Sequence, residues 1–180
     1  MDPGWYHFEN LFVPEHKICE MRISWNSIKV SIAGAKLSHL VRKNKIWDHG
    51  TMIEQVKSIF FLFQKAVNTP ISDTVKKYMT PMGYEIFKNK IKEAITNNGK
   101  NKIQTSEIKD ILVIDVHPSK NNKPDSFTAL VNGKKVISSA SLPGQEKIIQ
   151  FSEKWVFIRQ GDWWMFDDVK IKKNLHSQLC

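Results

Sequence analysis

The sequence predicts an α+β fold, with helices packed on one face of a curved antiparallel sheet of about four strands. Three observations carry this expectation. Apolar residues recur at helical spacing from Met52 to Ile95. After Gly99 the apolar period falls from about 3.6 residues to about 2. The last third then ends in two aromatic-rich runs joined by Gln160-Gly161-Asp162.

Residues 1–18 hold Pro3, Gly4 and Pro14 among Trp5, Tyr6, Phe8, Phe12 and Val13, which reads as an irregular aromatic arm. Over 22–43 the spacing of Ile32, Leu37, Leu40 and Val41 favours a helix. Thr51-Met-Ile-Glu54 has the pattern of a capping box, with each end of the tetrapeptide bonding the other's amide. Met52, Val56, Ile59, Phe60, Phe63, Ala66 and Val67 form the stripe of the helix that follows. Thr69-Pro70 and Thr80-Pro81 each place proline at a helical first turn, where its missing N–H costs nothing. The first opens a short helix with Ile71, Val75, Tyr78 and Met79 inward. The second opens a longer one with Tyr84, Phe87, Ile91, Ala94 and Ile95 inward, closed by Asn97-Asn98-Gly99.

Residues 108–117 read as a strand ended by Pro118, and 119–125 as a polar turn. Asn132-Gly133 between Phe127–Val131 and Lys134–Ile137 is a strong hairpin signal. Ile148–Arg159 and Trp163–Ile171 complete the meander. Adjacent strand residues point to opposite faces, so one of Trp163 and Trp164 must lie on the outer face.

The 180 residues carry 27 basic and 18 acidic groups, and the stretch 51–104 holds nine of the former against four of the latter. Apolar content of 41% and charged content of 25% are ordinary for a globular chain and exclude disorder and fibres. The longest apolar run, Ile59–Phe63, is far below the roughly 18 residues of a membrane span. The start, with Asp2 and Gly4, lacks a signal-peptide pattern. Two cysteines, Cys19 and Cys180, make no disulfide framework and favour a reducing compartment. The expected location is cytoplasmic or peripheral to an inner membrane.

The last hairpin, Phe151-Ser-Glu-Lys-Trp155-Val-Phe157-Ile-Arg159 through Trp163-Trp164-Met-Phe166-Asp167-Asp168-Val169, resembles the signature of the translocase of inner membrane 44 C-terminal domain family. Ile59-Phe-Phe-Leu-Phe-Gln64-Lys-Ala66 is similar to that family's aromatic helix, with Val67 in place of its tryptophan. Lys77-Tyr-Met-Thr80-Pro81 and Phe127-Thr-Ala-Leu-Val131 are similar to further pieces. The resemblance spans about 47–171 and implies a nuclear transport factor 2-like cone, in which a bent sheet wraps the helices. It divides the chain into an extension over 1–46 and a domain over 47–175. It implies a bacterial member, which the Lys, Asn and Ile richness suits. It also implies tethering at a membrane by a domain without settled activity.

Phe60, Phe63, Phe87, Trp155, Phe157, Trp164 and Phe166 would face one another in such a cone. They are either a filled core or the lining of an apolar pocket for a lipid-like ligand or protein segment. Lys88 and Lys92, one helical turn apart, with Lys100 and Lys102, form a candidate basic surface for an acidic membrane, or else a solvated helix face. No nucleic-acid module signature is present, so nucleic acid is not an expected partner. Asp115 and His117 share a strand face and are the one acid–base pair, placed at an exposed strand end. No residues are assigned to catalysis, no histidine spacing suits a metal, and no cofactor loop occurs. The expected function is therefore non-enzymatic binding or scaffolding, membrane-peripheral, through an acidic membrane or a protein partner. A homodimer through the open sheet face is a further expectation. The alternative is a small lyase or isomerase with acid–base residues in the cone.

Overall fold

The computed structural model describes residues 24–69, 73–98, 101–120, 122–139 and 146–171. Three helices, α1 (Trp25–Lys43), α2 (His49–Asn68) and α3 (Pro81–Asn98), precede four strands, β1 (Asn101–His117), β2 (Ser126–Ser139), β3 (Glu146–Gln160) and β4 (Trp163–Ile171). The strands form one antiparallel sheet in sequence order. Two 3₁₀ turns, Lys45–Trp47 and Asp73–Tyr78, link the helices. The α+β class and the helices-then-meander order agree with the expectation from sequence. The aromatic arm, Ile71, Lys100 and residues 172–180 lie outside the described residues.

The start of α2 differs from the expected capping box. Asp48 is the cap, and its Oδ1 accepts from the Thr51 amide at 2.8 Å and the Thr51 hydroxyl at 2.9 Å. Glu54 pairs instead with Lys57 at 2.7 Å. A carboxylate beside the positive end of the helix is the stronger acceptor, so the helix begins at His49, ahead of Thr51. The Thr69-Pro70 signal precedes only the 3₁₀ turn, whose Val75 is buried beside Met79. Thr80 does cap α3: its hydroxyl accepts from the Gly83 amide at 3.0 Å and donates to Asp167 at 2.7 Å. Its own amide donates to the Phe166 carbonyl at 2.9 Å, so the cap is tied to β4.

Asn132-Gly133 is not a turn. It lies within β2, which runs unbroken from Ser126 to Ser139. Gly133 is used for close approach: a Cβ there would meet the Glu107 carbonyl oxygen and, at 2.5 Å, the Phe151 ring. Register shifts between Ile103 and Thr105, Ile108 and Asp110, and Val113 and Asp115 give β1 three irregularities against β2. Such bulges bend and twist a sheet.

The register places Val116, Phe127, Phe157 and Phe166 in line across the sheet, with Ala129, Trp155 and Val169 in the next line. This inner face joins Met52, Val56, Ile59 and Phe60 of α2 and Phe87 and Ile91 of α3 in one core. Trp164 is 2% exposed and Trp163 67%, the split expected of adjacent strand residues. Trp164 packs on Trp47 with ring centres 5.0 Å apart and donates to the Ile46 carbonyl at 2.9 Å. The segment between α1 and α2 is thereby fixed to the sheet.

Candidate functional site

The seven aromatic residues singled out in sequence come together. Phe63 lies 4.4 Å from Phe87, 5.4 Å from Trp155 and 5.8 Å from Phe166, between ring centres. Phe127 stacks on Phe157 at 4.8 Å and meets Trp164 edge-on at 4.9 Å. Phe60 stacks on Phe151 at 6.2 Å. The pairs range from stacked through tilted to edge-to-face, with ring separations at which aromatic quadrupoles attract.

A small charged network borders them. Glu153, on the inner face, accepts from Lys90 of α3 at 2.8 Å and from the Trp155 indole at 2.9 Å. Burial pushes its carboxyl up, but the Lys90 charge and hydrogen bond, the Trp155 bond and the Lys135 charge together hold it below the usual range. Lys135 lies 5.0 Å over the Phe151 ring. Burial first, and then Lys90, lower its amine, against the pull of Glu153. The sequence gives little sign of this network, because Lys90, Lys135 and Glu153 lie on three elements.

The expected basic surface divides. Lys88 pairs with Glu85 at 2.7 Å and lies 5.1 Å over the Tyr84 ring. Lys92 is exposed on α3. Lys102 is in β1, its side chain outside the described set, as is Lys100 altogether.

A more basic element is α1, which carries Lys29, Lys36, Arg42 and Lys43 and no acidic residue. Only Ala33 and Leu37 of its side chains are buried. Trp25 is 77% exposed, Ile32 52%, and Ile28 is exposed as well. Residues 25, 28 and 32 lie three and four apart and so share one side of the helix, which Lys29 and Lys36 also border.

Beyond that stripe, the C-terminal half of α1 forms one wall of a cleft of about 890 Å³. Lys36, His39 and Leu40 face Val116 and His117 of β1 and Lys120, Lys123 and Pro124 of the β1–β2 loop. Asp115 and His117, the expected acid–base pair, meet at 2.9 Å at this cleft, and Lys36 approaches Asp115 at 3.9 Å. Both lie on the strand side opposite Val116, hence away from the aromatic interior, and both are solvent-accessible. The loop is held in place. Asp125 accepts from the Ser119 amide at 2.6 Å and from Arg159 at 3.1 Å, and the Arg159 amide donates to the Asp125 carbonyl at 2.8 Å. The Lys123 amide closes a turn onto the Lys120 carbonyl at 3.1 Å, with Asn122 in the left-handed region at φ 62°.

Among the described residues no group of three or more His, Cys, Asp or Glu side chains is placed to hold a metal ion. No helix among them is long and apolar enough to cross a membrane. No family model and no curated protein matches the sequence. Among solved structures the chain is similar to the intermembrane-space region of the chloroplast protein ARC6. The TM-score is 0.43 at 10% identity, over 66% of this chain and 94% of that one. A likeness at that level carries no argument about fold or function.

Proposed function

We propose that this chain is a non-enzymatic docking domain that lies against an anionic membrane surface, with α1 as the face that meets it. The observation that carries the reading is the composition and exposure of α1. A helix with four basic and no acidic residues, which also exposes Trp25, Ile28 and Ile32 along one stripe, has the character of an interfacial helix. Each Lys or Arg near an anionic surface is worth about 1 kcal/mol, and each large apolar side chain that enters the interface about 1.5–3 kcal/mol at full burial. Together these terms suffice for reversible attachment. The resemblance of the last hairpin to the translocase of inner membrane 44 C-terminal domain family supports the same reading. The aromatic interior then serves as the scaffold that holds α1 in place.

The lyase or isomerase alternative has one observation in its favour. Among the described residues Glu153, Lys90 and Lys135 are grouped beside the interior, and the Lys135 amine is lowered by burial.

Co-sedimentation of the full chain with phosphatidylglycerol-containing and with neutral vesicles tests the proposal. Binding is expected only to the acidic vesicles, and should weaken with salt. It should be lost in the Trp25→Ser/Ile32→Ser variant and weakened by Lys29→Glu. Binding that ignores these changes, or no binding to acidic vesicles, refutes it.

A further inference from the structure

We infer that the cleft between α1 and the β1–β2 loop is a binding site for a phosphomonoester. Its volume of about 890 Å³ is that of a small-molecule site, which is typically of the order of 300–1,000 Å³. Its apolar lining comes from Ala35, Leu40, Pro118 and Pro124. Its rim is cationic and comes from three separate segments: Lys36 and His39 on α1, His117 on β1, and Lys120 and Lys123 on the loop. An apolar lining with convergent polar groups is the general form of a ligand site.

The charge balance names the ligand class. Three lysines face one carboxylate, Asp115, so 3 − 1 leaves a formal charge of +2 with both histidines neutral. The other acidic residue of the loop, Asp125, is held by Arg159 and the Ser119 amide, and does not offset the rim. Among the described residues no carboxylate pairs with Lys120 or Lys123. A dianion therefore neutralises the cleft, and a phosphomonoester is the common dianion that offers several acceptor oxygens to such donors. The apolar lining suits a ligand whose phosphate is attached to a carbon body. The end of the loop is tied to β3 through Asp125 and Arg159, which anchors the backbone next to Lys123.

Such a phosphate can come from a soluble metabolite or from a lipid headgroup. Two probes separate the sources. Binding of glycerol 3-phosphate to the full chain is followed by calorimetry, and co-sedimentation compares phosphatidic acid with phosphatidylglycerol vesicles of matched surface charge. The test variant is Lys120→Ala/Lys123→Ala. The control is Lys147→Ala/Lys170→Ala, which removes the same charge from exposed positions of β3 and β4. All four side chains are exposed, so both proteins should fold, as thermal melts will check.

The cleft variant is expected to weaken glycerol 3-phosphate binding by about tenfold or more, the control to leave it unchanged. If glycerol 3-phosphate does not bind, but a preference for phosphatidic acid is lost in the cleft variant alone, the site stands and its phosphate belongs to a lipid. If neither probe binds, or both double variants lose binding equally, the site is refuted. The Trp25→Ser/Ile32→Ser variant keeps this test apart from the membrane reading. It should abolish vesicle attachment and leave glycerol 3-phosphate binding intact.

Discussion

Replacing Gly83 with alanine puts a methyl group against the backbone of β4. Gly83 lies in the first turn of α3, and a Cβ built there would meet the Phe166 carbonyl oxygen closer than real Cβ atoms approach anything. It would also lie 2.9 Å from the Phe166 carbonyl carbon and 3.1 Å from the Asp167 Cα. None of these atoms is the end of a flexible side chain. The carbonyl that would have to move accepts the Thr80 amide, and Asp167 accepts the Thr80 hydroxyl. Overpacking costs about 1–3 kcal/mol, and the upper end applies where backbone must yield. The gain in helix propensity of alanine over glycine offsets at most about 1 kcal/mol. The net cost is then about 2 kcal/mol, a fall in Tm of about 4–8 °C for a domain of this size. Gly34, mid-way along α1, has nothing within 4 Å of its Cβ position. Gly34→Ala is therefore expected to stabilise by about 0.5–1 kcal/mol and to raise Tm by a few degrees. Thermal and urea unfolding of the two variants beside the parent protein decides the matter. If Gly83→Ala melts at or above the parent while Gly34→Ala behaves as expected, α3 does not sit on β4 as described.

Trp164→Ala should cost about 3–5 kcal/mol, because it removes a buried ring and the bond to Ile46, whereas Trp163→Ala should stay within about 0.5 kcal/mol; urea titrations give both values. The Glu153 carboxyl is lowered in the folded state, so its contribution is complete above the ordinary carboxylate range and is lost as pH falls through and below it. Glu153→Gln should flatten the acid limb of a stability–pH profile and also destabilise at neutral pH, where Lys90 loses its partner. Lys135 has the opposite range: its amine is lowered, so the native state releases that proton before the unfolded chain does, and Lys135→Met should remove a rise in stability towards alkaline pH.

The parts of the fold legible in sequence are those fixed by local pattern. The stripe of α2, the Thr80-Pro81 start of α3 and the opposed faces of Trp163 and Trp164 each follow from a period or from one steric rule. The parts that were not legible depend on neighbours far along the chain. Asn132-Gly133 has the composition of a hairpin turn, but the glycine is required by the Glu107 backbone and the Phe151 ring, 26 and 18 positions away. Asp48 replaces Thr51 as the cap because a charged acceptor outcompetes a hydroxyl three positions later. On α3 the Lys88–Glu85 pair is local, but Lys90 pairs with Glu153, 63 positions away, which helical spacing does not show. The cleft could not be read at all. Lys36, His39, His117 and Lys120 become neighbours only when α1 lies alongside β1. The one local signal was the run of 19 residues in α1 without an acidic side chain.

That run also bears on why α1 is present. A helix retained for stability buries a broad apolar stripe. α1 buries only Ala33 and Leu37, and leaves a tryptophan and two isoleucines in water. The core does not need those three side chains, since α2, α3 and the sheet already enclose the aromatic rings. Leaving Trp25 and Ile32 exposed gives up several kcal/mol of available burial. The two halves of α1 nevertheless differ in one useful way: the N-terminal half presents the apolar stripe, and the C-terminal half presents Lys36 and His39 to the cleft. The same rigid element thus sets the distance between a surface that can enter a membrane interface and a pocket that can hold an anion. If both surfaces function, a change in the pitch of α1, such as a proline at Gly34, should uncouple them while α2, α3 and the sheet remain folded.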